Sequence, residues 1–238
     1  MVDCKPKIKA AADIKRNRLY LTLAGNIDST HMEKLYTDIR FCVADLKNGF
    51  DVIKNISQCN MLYISSFPVY KKIIDFLIAN KVGEVVRVTR NGNVSCKQLL
   101  NFSEKIQCYK TIHADDEIEA DEKLNNLIKR DGIRFKVGKV AMEYTHAGEI
   151  GSGGVLDIST SGCAVNTPTL MVAVHAEIVI KLKFDQHENM QSDLSVKARV
   201  VRVDDDIFAV HFYDFDDLNQ EQLYQRLAYE VRQNTPLF

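Results

Sequence analysis

Two arginines four positions apart open the run Arg130-Asp131-Gly132-Ile133-Arg134, and 23 residues after the second comes Asp157-Ile158-Ser159-Thr160-Ser161-Gly162. A guanidinium is a planar fork that grips phosphate oxygens, or the O6/N7 edge of guanine, with two parallel hydrogen bonds, a geometry that lysine cannot reproduce. A carboxylate such as Asp157 accepts from a guanine N1/N2 edge, a hydroxyl such as Ser159 donates to phosphate, and a glycine such as Gly162 lets a ligand approach the backbone. Lys129, just before the first arginine, adds a further cation and with it the expectation that a second, stacked nucleotide is held. Each half alone is common: an Arg-x-x-x-Arg pair is usually a solvated helix face, and a Ser/Thr/Gly run is usually a turn. Their ordered combination points to a site for a guanine nucleotide.

The elements that must position these residues belong to a chain of 238 residues, long enough for two modest domains with their own cores. Its 31 basic residues nearly balance 32 acidic ones, and no Lys/Arg stripe stands out, which argues against a general nucleic-acid binder. No stretch approaches the apolar length needed to cross a bilayer, and Met1-Val2-Asp3-Cys4-Lys5-Pro6 has no apolar leader core, so a cytoplasmic location without membrane insertion is expected. The six cysteines contain no Cys-x-x-Cys pair and the six histidines are dispersed. Neither a metal site nor a cofactor is therefore expected.

The first half alternates strand and helix. A hairpin is expected over residues 7 to 24 with its turn at Lys15-Arg16-Asn17, then a helix capped by Ser29 or Thr30 and carrying Met32, Leu35, Tyr36, Ile39, Val43 and Leu46. Strands near Asp51 to Ser57, Glu84 to Arg90 and Gln107 to His113 alternate with helices from Pro68 to Lys81, Ser95 to Ile106 and Asp115 to Ile128. Through Gly25-Asn26-Ile27-Asp28 and Asn55-Ile56-Ser57 this half resembles the STAS domain, which implies an α/β sandwich over residues 1–127. Signalling members phosphorylate a serine in an Asp-Ser-x-Gly turn. Here Ile64-Ser65-Ser66-Phe67-Pro68 keeps Ser66 without the aspartate or the glycine, and the simpler expectation is that Ser65 and Ser66 cap the next helix.

From Lys129 the texture changes to six short alternating stretches: Phe135 to Tyr144, Gly154 to Asp157, Cys163 to Asn166, His175 to Phe184, Leu194 to Val203 and Ile207 to Phe215. Asp216 or Asp217 then caps a helix with the stripe Leu218, Leu223, Leu227, Val231. Residues 128–238 thus read as a six-stranded antiparallel β-barrel with a C-terminal helix. With the two motifs in order, this half resembles the PilZ domain, a bacterial receptor for cyclic di-GMP. The resemblance implies that Lys129, Arg130, Arg134, Asp157, Ser159 and Gly162 bind that dinucleotide, and that the segment around Ile128 to Arg134 folds over it and shifts the N-terminal domain or an unidentified protein partner. A homodimer is left open, the tail Pro236-Leu237-Phe238 being one apolar surface for it. Two alternatives remain at this point: a PilZ-like interaction module without nucleotide, and a STAS-type regulator controlled through Ser66.

An enzyme is not expected. Gly151-Ser152-Gly153-Gly154 lacks the Gly-x-Ser-x-Gly spacing of a nucleophile elbow and reads as a flexible hairpin turn. Asp204-Asp205-Asp206 reads as a hairpin tip, and Asp115-Asp116-Glu117 as the negative start of a helix. Hydrolysis of a cyclic dinucleotide needs a metal and a water-activating base, and no candidate set is present.

Overall fold

The computed structural model describes residues 5–89, 109–127, 133–137, 140–186 and 192–234. The chain divides into two compact units, Met1–Ile133 with Thr235–Phe238, and Arg134–Asn234.

The first unit is built on a five-stranded sheet in the order β1-β2-β3-β4-β5, formed by Lys7–Asp13, Arg18–Ile27, Asp51–Leu62, Val85–Val88 and Ile112–Ala114. β1 and β2 are the expected antiparallel hairpin, turned by Asn17 at φ 54. The remaining pairs are parallel, and parallel strands are buried on both faces by the helices of their crossovers. On one face lie α1 (Ser29–Ala44) and α2 (Phe67–Ala79), whose Met32, Leu35, Ile73 and Leu77 meet Leu21, Leu23 and Val52. On the other lies α3 (Glu117–Asn126), whose Ala120 and Leu124 join a core of Ile53, Val86, Val88 and Ala114. Val52 and Ile53, adjacent on β3, thus serve opposite layers, as the two-residue repeat of a strand requires. This is the expected α/β sandwich, and the expected helix at Ser95–Ile106 lies outside the described residues.

Three local expectations are corrected. α1 is capped by Asp28, whose carboxylate accepts from the His31 backbone N–H at 2.9 Å, not by Ser29 or Thr30; a carboxylate one position earlier reaches the orphan donors of the first turn. Ser66 does not cap α2 with its side chain. Its hydroxyl is fully buried and donates to the Ile27 carbonyl at 3.1 Å, tying the entry of α2 to the end of β2. Leu46 lies beyond α1, which ends at Ala44.

The second unit is a closed antiparallel barrel of six strands: β6 (Ala141–His146), β7 (Glu149–Ser159), β8 (Gly162–Asn166), β9 (Glu177–Lys183), β10 (Asp193–Asp204) and β11 (Ile207–Tyr213). They run in the order β10-β11-β8-β7-β6-β9, with β9 closing onto β10. Closure leaves no unpaired edge. Met142, Tyr144, Ile180, Leu182, Val200, Phe208 and Val210 are buried, and the rings of Tyr144 and Phe208 meet edge to face at 5.2 Å. α4 (Asp217–Asn234) is capped by Asp216, which accepts from the Asn219 N–H at 2.7 Å. It buries Leu223, Leu227 and Val231, while Leu218 is 67% exposed and drops out of the expected stripe, because the first turn of α4 lies clear of the core.

Gly151-Ser152-Gly153-Gly154 is not a hairpin turn. The turn is Ala147-Gly148, with φ of 50° and 88°, and the glycines lie within β7. A Cβ on Gly151 would fall 2.5 Å from the Tyr144 ring, and one on Gly154 would fall 2.4 Å from the Asn166 side chain. These positions are glycine because neighbouring side chains lie across the strand, a use of strand glycine for close approach.

Candidate functional site

Site geometry starts from Phe135. It forms an isolated antiparallel bridge with Ile158, donating its N–H to the Ile158 carbonyl at 2.8 Å and accepting the Ile158 N–H at 3.0 Å. Both side chains are fully buried, and the Phe135 ring packs edge to face on Tyr224 of α4 at 5.6 Å. Because side chains alternate along extended backbone, Arg134 on one side and Asp157 and Ser159 on the other point away from that core, onto the opposite face. Phe135 is the anchor, and sequence reading did not single it out. Its signal was its place directly after the second arginine, an apolar residue where a solvated helix face would be polar.

Arg134 donates from Nη1 to Asp157 Oδ1 at 2.6 Å, with side chains 20% and 10% exposed. Its Nε is buried without a hydrogen-bond partner. A partly desolvated, charge-assisted bond of this length fixes the guanidinium plane more firmly than an exposed ion pair would. Lys129 and Arg130 lie outside the described residues.

Ser159 and Gly162 serve the β7–β8 turn. Ser159, 1% exposed, donates to the Gly162 carbonyl at 3.2 Å and accepts from the Ser161 N–H at 3.3 Å. The hydroxyl expected to meet phosphate therefore holds its own turn. Gly162 has a structural reason to be glycine: a Cβ there would fall 2.2 Å from the Val210 carbonyl oxygen, so β11 approaches closely. The Ser161 carbonyl accepts the Phe212 N–H at 2.8 Å and completes that junction. Opposite Gly162 on β11 stands His211, which is exposed. Nothing in the sequence signalled His211, because the pairing of β11 with β8 is a property of barrel closure.

Burial pushes the neighbouring Cys163 thiol up to about 12, with the Asp157 carboxylate acting in the same direction. Cys163 is therefore an inert interior side chain, as Cys59 is by its burial. Among the described residues no group of three or more His, Cys, Asp or Glu side chains is placed to hold a metal ion, and no helix is long and apolar enough to cross a membrane.

Residues 129–230 match the PilZ domain family. Among solved structures, the chain is similar to the PilZ domain of CeSA from a cellulose-synthesizing bacterium, at 22% identity and TM-score 0.33, over 42% of this chain and 97% of that one. It is also similar to the anti-sigma factor antagonist SpoIIAA in its unphosphorylated form, at 14% identity and TM-score 0.38, over 51% of this chain and all of that one (100%). A third likeness is the Borreliella burgdorferi PlzA protein in complex with c-di-GMP, at 13% identity and TM-score 0.28, over 58% of this chain and 48% of that one. No curated protein matches the chain.

Proposed function

We propose that this protein, which carries a PilZ domain at residues 129–230, is a cytoplasmic receptor for cyclic di-GMP. The observation that carries the reading is the Arg134–Asp157 pair, seated beside the barrel by the Phe135–Ile158 bridge. One terminal nitrogen of Arg134 is engaged by Asp157, which aims the fork and leaves the other terminal nitrogen for a phosphate or a guanine edge. Asp157 has a double role: it orients the arginine, and its carboxylate is the acceptor for a ligand's N1/N2 donors. Arg130 supplies the second fork, and Lys129 sets whether one dinucleotide or a stacked pair is held. Ser159 and Gly162 shape the turn on which the ligand rests.

Binding, not chemistry, is the output. As Arg130 and Arg134 engage the ligand, the segment that joins α3 to the barrel takes up one arrangement, and the N-terminal unit or a partner protein reads that change as a shift in population. Control through Ser66 gains no support, since its hydroxyl is buried and bonded to the Ile27 carbonyl, out of reach of a kinase in this fold. Calorimetric titration of the full chain with cyclic di-GMP tests the reading. Saturable binding that Arg134→Ala weakens by roughly tenfold or more is expected, since hydrogen bonds to charged groups contribute about 1.5–3 kcal/mol each. Absence of binding by the unaltered protein would leave the interaction-module alternative in its place. The same titration gives the stoichiometry, and a one-to-one endpoint removes the stacked pair.

A further inference from the structure

A register shift in β7 sets one more side chain beside the Arg134–Asp157 pair. Val165 and Cys163 lie two apart on β8 and are fully buried in the barrel, yet their partners on β7, Val155 and Ile158, lie three apart and are buried too. The extra residue makes a β-bulge, in which Leu156 and Asp157 together oppose Ala164. In a regular strand neighbours point to opposite faces, so Leu156 and Asp157 could not share one. Here both residues flanking them turn inward, and the bulge brings the two to the outer face of the sheet. Asp157 is held there by Arg134 at 2.6 Å, whereas the adjoining Leu156 is 41% exposed. An exposed leucine is ordinary on a protein surface. This one is placed by a bulge, a device that re-aims a side chain, and it is aimed to the side on which the arginine and the carboxylate meet.

We propose that Leu156 is an apolar platform of the nucleotide site: a guanine whose N1/N2 edge bonds to Asp157 lays its ring face on the Leu156 side chain. The inference rests on the receptor reading above and adds to it a side chain outside the residues assigned there. Hydrogen bonds to the base edge replace bonds to water and return only part of their strength, while a covered ring face takes apolar surface out of water. Edge contacts tell guanine from other bases, and contact with the ring face adds affinity that any base could supply. Recognition is thereby divided between two consecutive residues, with Asp157 reading the edge and Leu156 carrying the face. The exposure of Leu156 leaves its surface open to a ligand arriving from solvent.

Calorimetric titration of the full chain with cyclic di-GMP, using wild type, Leu156→Ala, Leu156→Met and Leu156→Trp, tests this. Because Leu156 is partly exposed, its variants should melt without ligand close to wild type. The expected result is a loss of roughly fivefold or more in affinity for Leu156→Ala, most of which Leu156→Met regains by restoring the apolar area. The chain contains no tryptophan, so Leu156→Trp places a single indole at the platform. Its emission should change saturably with added ligand, in step with the calorimetric isotherm, as a base stacks on the ring. Equal binding by wild type and Leu156→Ala would overturn the inference while leaving the receptor reading intact. So would a Leu156→Trp protein that binds the dinucleotide with its emission unchanged. A wild type that fails to bind would overturn the receptor reading itself, and the platform with it.

Discussion

Two arginine–aspartate pairs of nearly equal length, one in each unit, do different work. Arg18 Nη1 donates to Asp121 at 2.5 Å, and Arg134 Nη1 donates to Asp157 at 2.6 Å. Around Arg18 the surroundings are fuller: Nη2 donates to Asn125 at 2.9 Å, Nε lies 3.9 Å from Asp51 without a hydrogen bond, and Asp121 also accepts from Arg16 and from the Tyr20 hydroxyl. The Arg18 side chain is 5% exposed, and the cluster fastens α3 to β2. The Arg134 side chain is 20% exposed, and one of its terminal nitrogens meets Asp157, while its Nε, like that of Arg18, is buried without a hydrogen-bond partner. An arginine whose two terminal nitrogens are both engaged inside the fold is a fastener. One that is aimed by a single carboxylate and left with donors to spare is placed to receive something.

The largest effect should come from breaking the fastener. Asp121→Ala leaves the buried Arg18 charge without its closest partner, and removing one member of such a pair typically destabilises by about 3–5 kcal/mol. Denaturant unfolding of the first unit should show a loss near the lower end of that range, because Asp121 is 23% exposed. Cyclic di-GMP binding by the folded fraction should be unchanged; a matching loss of affinity would merge the two pairs into one functional network. Next in size is Asp157→Asn, which keeps the shape but removes the charge that aims Arg134. Affinity for the dinucleotide should fall by roughly tenfold, while the ligand-free melting temperature moves little. A large fall in melting temperature with unaltered affinity would make Arg134–Asp157 a second fastener.

A third cation sharpens the contrast, because its partner is neutral. Lys54 on β3 is 8% exposed, donates to the Tyr70 hydroxyl, and lies opposite the fully buried Arg87 in the strand register. Burial holds its amine well below the ordinary lysine value, and the Arg87 charge pushes in the same direction. In the unfolded chain the amine regains its usual affinity for a proton, so between the folded and unfolded values the unfolded state binds more protons. Stability must then rise with pH through that window, up to about 10.4. Wild type should therefore gain stability relative to Lys54→Met between about pH 7 and pH 9.5, read by thermal melting of both proteins at each pH. Parallel pH dependence in the two proteins would show that Lys54 is not the titrating group.

The contrast between fasteners and receivers was only partly legible in the sequence. Alternation of Phe208, Val210 and Phe212 with exposed or small residues announced a strand, and six such stretches announced the barrel, because a two-residue repeat reports directly which face is buried. The Arg-x-x-x-Arg and Asp-x-Ser-x-x-Gly runs were visible for the same local reason, being short and contiguous. What was missed depends on pairing between distant strands. The Ser159 hydroxyl bonds within the β7–β8 turn and β11 lies against Gly162, and neither contact is visible until those strands are paired. Ser66 looks like a helix cap until the end of β2 arrives to accept its proton. Gly151, Gly153 and Gly154 carry turn chemistry in isolation, and only the Tyr144 ring, Val165 and Asn166 across the strand explain them.

The smallest predicted effect follows from that last point and separates two uses of glycine. Gly148 has φ of 88° with nothing within 4 Å of where its Cβ would stand, so Gly148→Ala introduces backbone strain alone, on the order of 1 kcal/mol. Gly151 has no such φ, but its added Cβ would meet the Tyr144 ring, whose hydroxyl donates to the Leu170 carbonyl. Gly151→Ala must therefore displace a buried ring and that hydrogen bond together, and should destabilise the barrel more than Gly148→Ala does. Melting of the two single variants and of the double variant decides between strain and displacement. Additive losses are expected if the two causes are independent, whereas a double variant no worse than Gly151→Ala would mean that shifting Tyr144 also relaxes the turn, since Gly151 pairs with Tyr144 only a few residues from Gly148.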